Sequence, residues 1–253
     1  MVRAPRKTRK ELPLVQLLPN ALTLAAICAG LTAIRMAAYG AFSMAIALII
    51  LAAVLDGVDG RLARALGSDS PIGAELDSLA DAINFGVAPA FVLYFWALEP
   101  ARELGWVAAL IYALCCVLRL ARFNVGIKGD GGADKRFFVG VPSPLGALLA
   151  LAPMFLARAM NLQVPLMPEA VALWLILSGA LMVSRLPSFS LKTTIYAEHA
   201  HLVLLGVTAT LALLAVYPWQ SLLVIDVIYL CSLVLAWRAS RKARRLQAVI
   251  DGE

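Results

Sequence analysis

Long apolar stretches, each about the length of a bilayer crossing, alternate along the chain with short polar connections. A membrane-spanning helix needs ~20 mostly apolar residues. Eight stretches meet that need: 19–38, 41–64, 73–98, 103–124, 141–160, 168–186, 199–217 and 219–238. The pattern predicts an all-α, polytopic membrane protein of about eight transmembrane helices. No stretch has the composition of a separate soluble domain. Residues 1–253 are therefore expected to form a single integral-membrane domain, with 1–18 as a basic N-terminal segment and 238–253 as a basic tail.

Composition agrees with the pattern. The chain is 62% hydrophobic and 15% charged, whereas soluble domains are ~45–50% apolar and ~25% charged. The same figures exclude a disordered chain. The formal net charge is +6, and on a soluble domain such a balance would suggest nucleic acid. Here the basic residues lie between the apolar runs, and alternate connections differ sharply. Nineteen of the 22 Lys and Arg fall on one side, leaving only Arg35, Arg102 and Arg158 on the other. The positive-inside rule places both termini in the cytoplasm, an arrangement that requires an even number of spans. No nucleic-acid partner is expected.

Arg3, Arg6, Lys7, Arg9 and Lys10 precede the first apolar run. That run is long and lacks a small-residue cleavage site, so it reads as an uncleaved first span. Cys28, Cys115, Cys116 and Cys231 lie inside spans without metal-ligand spacing, and are expected to be small buried hydrophobes. Asn20, after Pro19, is expected to cap the first helix. Asp226 lies within the last span and is expected to pair with a neighbouring helix.

Acidic side chains inside membrane spans are costly, and so are functional candidates. Most crowd into one region, Asp56 to Asp81. Asp56 and Asp59 are three residues apart and share a face at the end of the second span. Asp77 and Asp81, four apart, share a face at the start of the third. A short loop brings these faces together. Four carboxylates facing one another would repel strongly without a counter-ion. Oxygen donors with no His or Cys nearby suit a hard divalent cation such as Mg²⁺ or Mn²⁺. Paired metals are a standard device in phosphoryl chemistry.

The full spacing is D-x2-D-G-x2-A-R-x8-G-x3-D-x3-D, carried by Asp56, Asp59, Gly60, Ala63, Arg64, Gly73, Asp77 and Asp81. This resembles the signature of the CDP-alcohol phosphatidyltransferase family at all eight positions. The resemblance implies that Asp56, Asp59 and Asp77 are metal ligands. It implies that Asp81 completes a site for two divalent ions and is the catalytic base toward the acceptor alcohol. It also assigns Gly60, Ala63, Arg64, Ser70 and Gly73 to binding of CDP-diacylglycerol. The chemistry agrees: Gly60 and Ala63 keep a helix face low for close approach, and Arg64 offers a planar fork to phosphate oxygens. Arg64 could equally form a salt bridge that offsets the acids.

Looser similarities extend over about 170 residues. LPNALTL (18–24), DSLADAINFGVAPA (77–90), RLARFN (119–124), FFVGVPSPLGA (137–147) and SRLPSFSLK (184–192) look like the bacterial serine-using branch of that family. The resemblance implies CDP-diacylglycerol and L-serine as substrates and phosphatidylserine and CMP as products. It further implies a homodimer in the cell inner membrane, among membrane lipids, with the site facing the cytoplasm. Arg119, Arg122 and Asn124 become candidates for the serine carboxylate or the lipid phosphate, as do Arg185 and Lys192. Each basic residue could instead be a flank that snorkels to headgroups. Asn84, one turn past Asp81, is expected to orient a site carboxylate.

Two other readings stay open. A sibling enzyme would take glycerol 3-phosphate or inositol phosphate, more anionic acceptors needing a denser basic cluster. An ion-coupled transporter would use the aspartates as its cation site, but it gives no reason for the glycines and Arg64 at fixed offsets.

Overall fold

The computed structural model describes residues 17–68, 70–128, 137–162, 166–184, 187–189 and 200–250. In their described parts all eight predicted stretches are helical. The elements are α1 (Leu18–Ala38), α2 (Phe42–Leu66), α3 (Pro71–Asp81), α4 (Ala88–Leu93), α5 (Arg102–Lys128), α6 (Ser143–Ala159), α7 (Pro168–Val183), α8 (Ala200–Val216) and α9 (Pro218–Ile250). The third span is a composite. Its α3 and α4 are joined by a π-helical segment, Ala82–Val87, and a second π-helical segment, Tyr94–Leu98, follows α4.

Among the described residues, four apolar segments have the length to cross a bilayer: Leu18–Ala38, Phe42–Leu66, Pro71–Val125 and Pro218–Arg238. Ser143–Ala159, Pro168–Val183 and Leu204–Val216 are apolar but shorter. The 55-residue run Pro71–Val125 is not one rod. It tightens into a 3₁₀ turn at Glu99–Ala101 and reverses at Arg102, whose φ is +47°. Phe91 and Tyr94 then meet Trp106 edge-on across the hairpin, with ring centroids 5.8 and 5.7 Å apart. Leu24, Leu31, Val54, Leu114, Leu173 and Leu211 all face outward. Such a surface belongs in lipid, and the protein is a multi-pass membrane protein.

Close packing begins at the first hairpin. Ala26, Ala29, Gly30, Ala33 and Ala37 are buried along one face of α1, opposite Ala45, Ile49 and Ala52 of α2. Small residues at helical spacing let two backbones approach closely, the main route to association in lipid. Gly30 is required for another reason: a Cβ there would collide with the Asn84 side chain. In α5, the fully buried Tyr112 donates its hydroxyl to the Phe85 carbonyl at 2.9 Å, pinning the first π-helical segment. Proline 153 lies inside α6, and the indole Nε1 of Trp174 in α7 donates 2.6 Å to the Leu149 carbonyl.

The all-α fold carries one small addition, and two other expectations need correction. Residues 137–139 and 187–189 form a two-stranded antiparallel ribbon, β1 (Phe137–Val139) with β2 (Pro187–Phe189), with Phe137 opposite Phe189. The apolar-run reading had no place for a strand at either edge of a span. Gly140 follows β1 at φ +87°, where a Cβ would meet the Met182 carbonyl oxygen at 2.6 Å. Cysteine burial is only half true: Cys116 is buried and Cys115 partly so, while Cys28 and Cys231 face outward. In lipid an outward thiol has little to lose. Asp226 is buried, but its Oδ2 has no hydrogen-bond partner among the described residues. It lines a cavity of about 330 Å³ with apolar residues such as Trp174 and Leu223.

Candidate active site

The functional candidates gather at one end of the bundle. There α1 starts, α2 ends, α3 starts, α5 ends and α6 starts. Arg61, Arg64, Arg119 and Arg122 belong to this end. Arg35, Arg102 and Arg158 belong to helix ends on the other side.

Asp56, Asp59 and Asp77 each turn a carboxylate oxygen into one cluster, with the three atoms within 4.8 Å of one another. Helical spacing places the first two on one face of α2, and the αL cap at Gly67 (φ +58°) turns the chain so that α3 can deliver the third. Asp59 is 3% exposed. Its Oδ2 accepts 2.6 Å from the Thr23 hydroxyl of α1, a hydroxyl that also lies 3.1 Å from the Pro19 carbonyl. The donor set suits a hard divalent cation: it is all oxygen, closely spaced and anionic, with no Lys, Arg or His among its hydrogen-bond partners in the described residues.

Asp81 is near this cluster but held differently. Asp56 lies close enough to Asp77 and Asp81 for their charges to repel. Asp81 Oδ2 accepts from the Ser143 hydroxyl of α6 at 2.9 Å. The same hydroxyl accepts from Arg119 Nη1 of α5 at 2.8 Å. Asp81 Oδ1 is buried and has no hydrogen-bond partner among the described residues. The π-helical segment begins at the next residue, and such irregularities are frequent at functional sites.

Beside the cluster is a cavity of about 260 Å³. Its wall includes all five residues expected to bind the donor, Gly60, Ala63, Arg64, Ser70 and Gly73, together with Asp59 and Asp77. Gly60 is open: a Cβ there would find only Arg64 Nη1, at 3.8 Å. Gly73 is tight, for a Cβ would lie 3.1 Å from both Asn20 Oδ1 and Ser70 Oγ. Ser70 is the N-cap of α3 and accepts 3.0 Å from the Gly73 N–H, so its own proton remains available to a ligand.

The remaining candidates divide. Arg119 is committed to Ser143, and Arg122 donates 2.8 Å to the Val183 carbonyl. Asn124 Nδ2 donates 3.0 Å to Ser78. Asn84 does not hydrogen-bond a carboxylate, contrary to expectation. It is fully buried, and neither amide atom has a hydrogen-bond partner among the described residues. Arg185 and Lys192 lie outside the described residues.

Three contributors escaped the sequence reading. Asn20 lines the cavity and caps nothing; the N-cap of α1 is Leu17. Thr23 begins the small-residue face of α1, the signal that could have aimed it at α2. Ser143 stands between Pro142 and Pro144, a rigid setting worth a closer look.

Comparison with known proteins completes the picture. A family model described as CDP-alcohol phosphatidyltransferase matches residues 16–184. The chain belongs to the CDP-alcohol phosphatidyltransferase family. Its relatives include a Mycobacterium leprae protein named CDP-diacylglycerol--serine O-phosphatidyltransferase, 42% identical over 88% of this chain and 75% of that protein. A Helicobacter pylori protein of the same name is 33% identical over 87% of this chain and 91% of its own. A third, from Methanocaldococcus jannaschii, is 38% identical over 59% and 66%. The matched region holds all eight signature positions, the cavity wall, and the Arg119–Ser143–Asp81 chain.

Proposed function

We propose that this CDP-alcohol phosphatidyltransferase transfers the phosphatidyl group of CDP-diacylglycerol to the hydroxyl of L-serine, giving phosphatidylserine and CMP. One observation carries the reading: the carboxylate cluster and the nucleotide-side cavity share Asp59 and Asp77. A cation site and a phosphate site thus meet at one wall. Relatives that carry the serine-transferase name supply the acceptor.

In this reading Asp56, Asp59 and Asp77 hold a divalent metal, Mg²⁺ or Mn²⁺, and Asp81 beside Asp56 completes a site for two ions. When bound, the metal would neutralise charge on the pyrophosphate and on departing CMP. Arg64, with Ser70, receives phosphate oxygens, while Gly60 and Ala63 leave room for the nucleotide and Gly73 keeps the wall close. Asp81 accepts the serine hydroxyl proton as that oxygen bonds to the phosphorus bearing diacylglycerol. The bond from this phosphorus to the CMP oxygen breaks, and CMP leaves. Positioning and electrostatics supply most of the acceleration in such transfers. The acyl chains stay in lipid beside the helices. The site faces the cytoplasm across the inner membrane, as the basic residues favour. Family resemblance alone suggests a homodimer.

A glycerol 3-phosphate or inositol phosphate acceptor would need free cations around the site. Among the described candidates, Arg119 and Arg122 both have protein partners, which favours serine. The test is CMP release by purified protein with CDP-diacylglycerol and Mg²⁺ or Mn²⁺, offering serine, glycerol 3-phosphate or inositol phosphate in parallel. Release with serine alone is expected. Release with another alcohol overturns the acceptor, and no release with any of them overturns the reaction.

A further inference from the structure

Asp81 can serve as a base only if one oxygen is kept free and the other is fixed. The hydrogen bonds around it do both. Ionised carboxylates only accept, and guanidinium only donates, whereas a hydroxyl has one proton and two lone pairs. Ser143 stands between the two kinds of group, 2.8 Å from Arg119 Nη1 and 2.9 Å from Asp81 Oδ2. Arg119 must donate to it, so the single Ser143 proton is directed to Asp81. Oδ1 is the uncommitted oxygen.

The serine itself is well fixed. It is 1% exposed and opens α6, with Pro142 as N-cap and Pro144 in the first turn. Proline fixes φ on either side, and the N–H that Pro144 lacks would find no partner in a first helical turn. Rigidity at this point places the hydroxyl, which in turn places a carboxylate 62 residues earlier. The serine also separates two charges. Without its hydroxyl, the Arg119 guanidinium could take up Asp81 directly, in the bidentate manner it favours with carboxylates, and no oxygen would remain for the acceptor.

We propose that Ser143 is a positioning residue for the acceptor base: anchored by Arg119, it holds Asp81 by Oδ2 and leaves Oδ1 to the metal site and the alcohol proton. This rests on the phosphatidyl-transfer reading above. It also assigns Arg119 to the base and not to the serine carboxylate.

The test compares steady-state CMP release by wild type, Ser143→Ala, Ser143→Thr, Arg119→Ala and the double variant Ser143→Ala/Arg119→Ala, all purified in detergent. Ser143→Ala should lower kcat by about 10²-fold, the scale of a small misplacement of a reacting group. KM for serine and for CDP-diacylglycerol should stay within about twofold, as expected when only transition-state interactions are lost. Ser143→Thr, which keeps the hydroxyl, should recover most of kcat. The double variant should be no worse than the poorer single one, because both act through one bond chain. A rise in KM for serine with kcat unchanged in Arg119→Ala would overturn the proposal, since Arg119 would then be contacting the acceptor. Independent, multiplying losses would also overturn it. Should Ser143→Ala not fold, the Thr and Arg119→Ala arms still decide. If wild type releases no CMP with any alcohol, the underlying reaction fails and this inference falls with it; wild-type turnover together with an undiminished Ser143→Ala sinks the inference alone.

Discussion

Trp174 supplies the hydrogen-bond donor that Pro153 lacks. In an ordinary helix the N–H of residue 153 would bond to the Leu149 carbonyl. Proline has none, and the Trp174 indole fills the gap at 2.6 Å from the neighbouring helix. A kink-prone position inside a span thereby becomes a cross-link between α6 and α7.

Trp174→Phe should leave that carbonyl buried without a partner. The cost should be about 1–3 kcal/mol, seen as a lower Tm in detergent with the KM values unchanged. A Tm equal to wild type would mean that another donor reaches Leu149.

Asp81→Asn should abolish turnover, by roughly 10²–10⁴-fold for loss of a general base. The protein should stay folded and keep its affinity for CDP-diacylglycerol. Wild-type rates in this variant would remove Asp81 from the chemistry.

Thr23→Val should weaken the metal site without touching a ligand. Thr23 fixes Asp59 by a 2.6 Å hydrogen bond, and removing the partner of a ligand typically costs ~10–100-fold in metal affinity or activity. The concentration of Mg²⁺ or Mn²⁺ giving half-maximal CMP release should rise accordingly, and excess metal should restore the rate. Chelation should silence wild type and variant alike.

Gly60→Ala and Gly73→Ala separate two uses of glycine. A methyl at 60 meets nothing of the protein closer than 3.8 Å, whereas one at 73 crowds Asn20 and Ser70 at 3.1 Å. Gly60→Ala should therefore leave Tm unchanged and raise KM for CDP-diacylglycerol, by roughly tenfold if about 1.4 kcal/mol of binding is lost. Gly73→Ala should lower Tm as well. An unchanged KM in Gly60→Ala would show that the cavity does not require an open wall there, and equal Tm losses would show that position 60 is packed as tightly as position 73.

Much of this was legible in the sequence because lipid imposes a simple code. Span lengths are set by bilayer thickness, and the rarity of acids in spans made Asp56, Asp59, Asp77 and Asp81 conspicuous. What escaped was decided by contacts between distant segments. Asn20 and a cap position look alike in sequence, yet the open α1 end faces α3 and makes Asn20 a wall residue. Ser143 and Thr23 are ordinary hydroxyls until α6 and α1 bring them to carboxylates 62 and 36 residues away. Arg119 and Arg122, read as candidates for the serine carboxylate or the lipid phosphate, are tied to Ser143 and Val183. The β1–β2 ribbon joins chain on both flanks of the α6–α7 hairpin, a pairing that no local pattern announces.

The cavity wall has one further consequence. Every residue that lines it lies between Pro19 and Asp77, whereas the groups that hold Asp81 come from α5 and α6. In the proposed reaction, the pocket for the activated lipid and the groups that hold the acceptor base are thus encoded in separate stretches of chain. Descendants of one ancestral protein could keep the first untouched and trade one alcohol for another by editing the second.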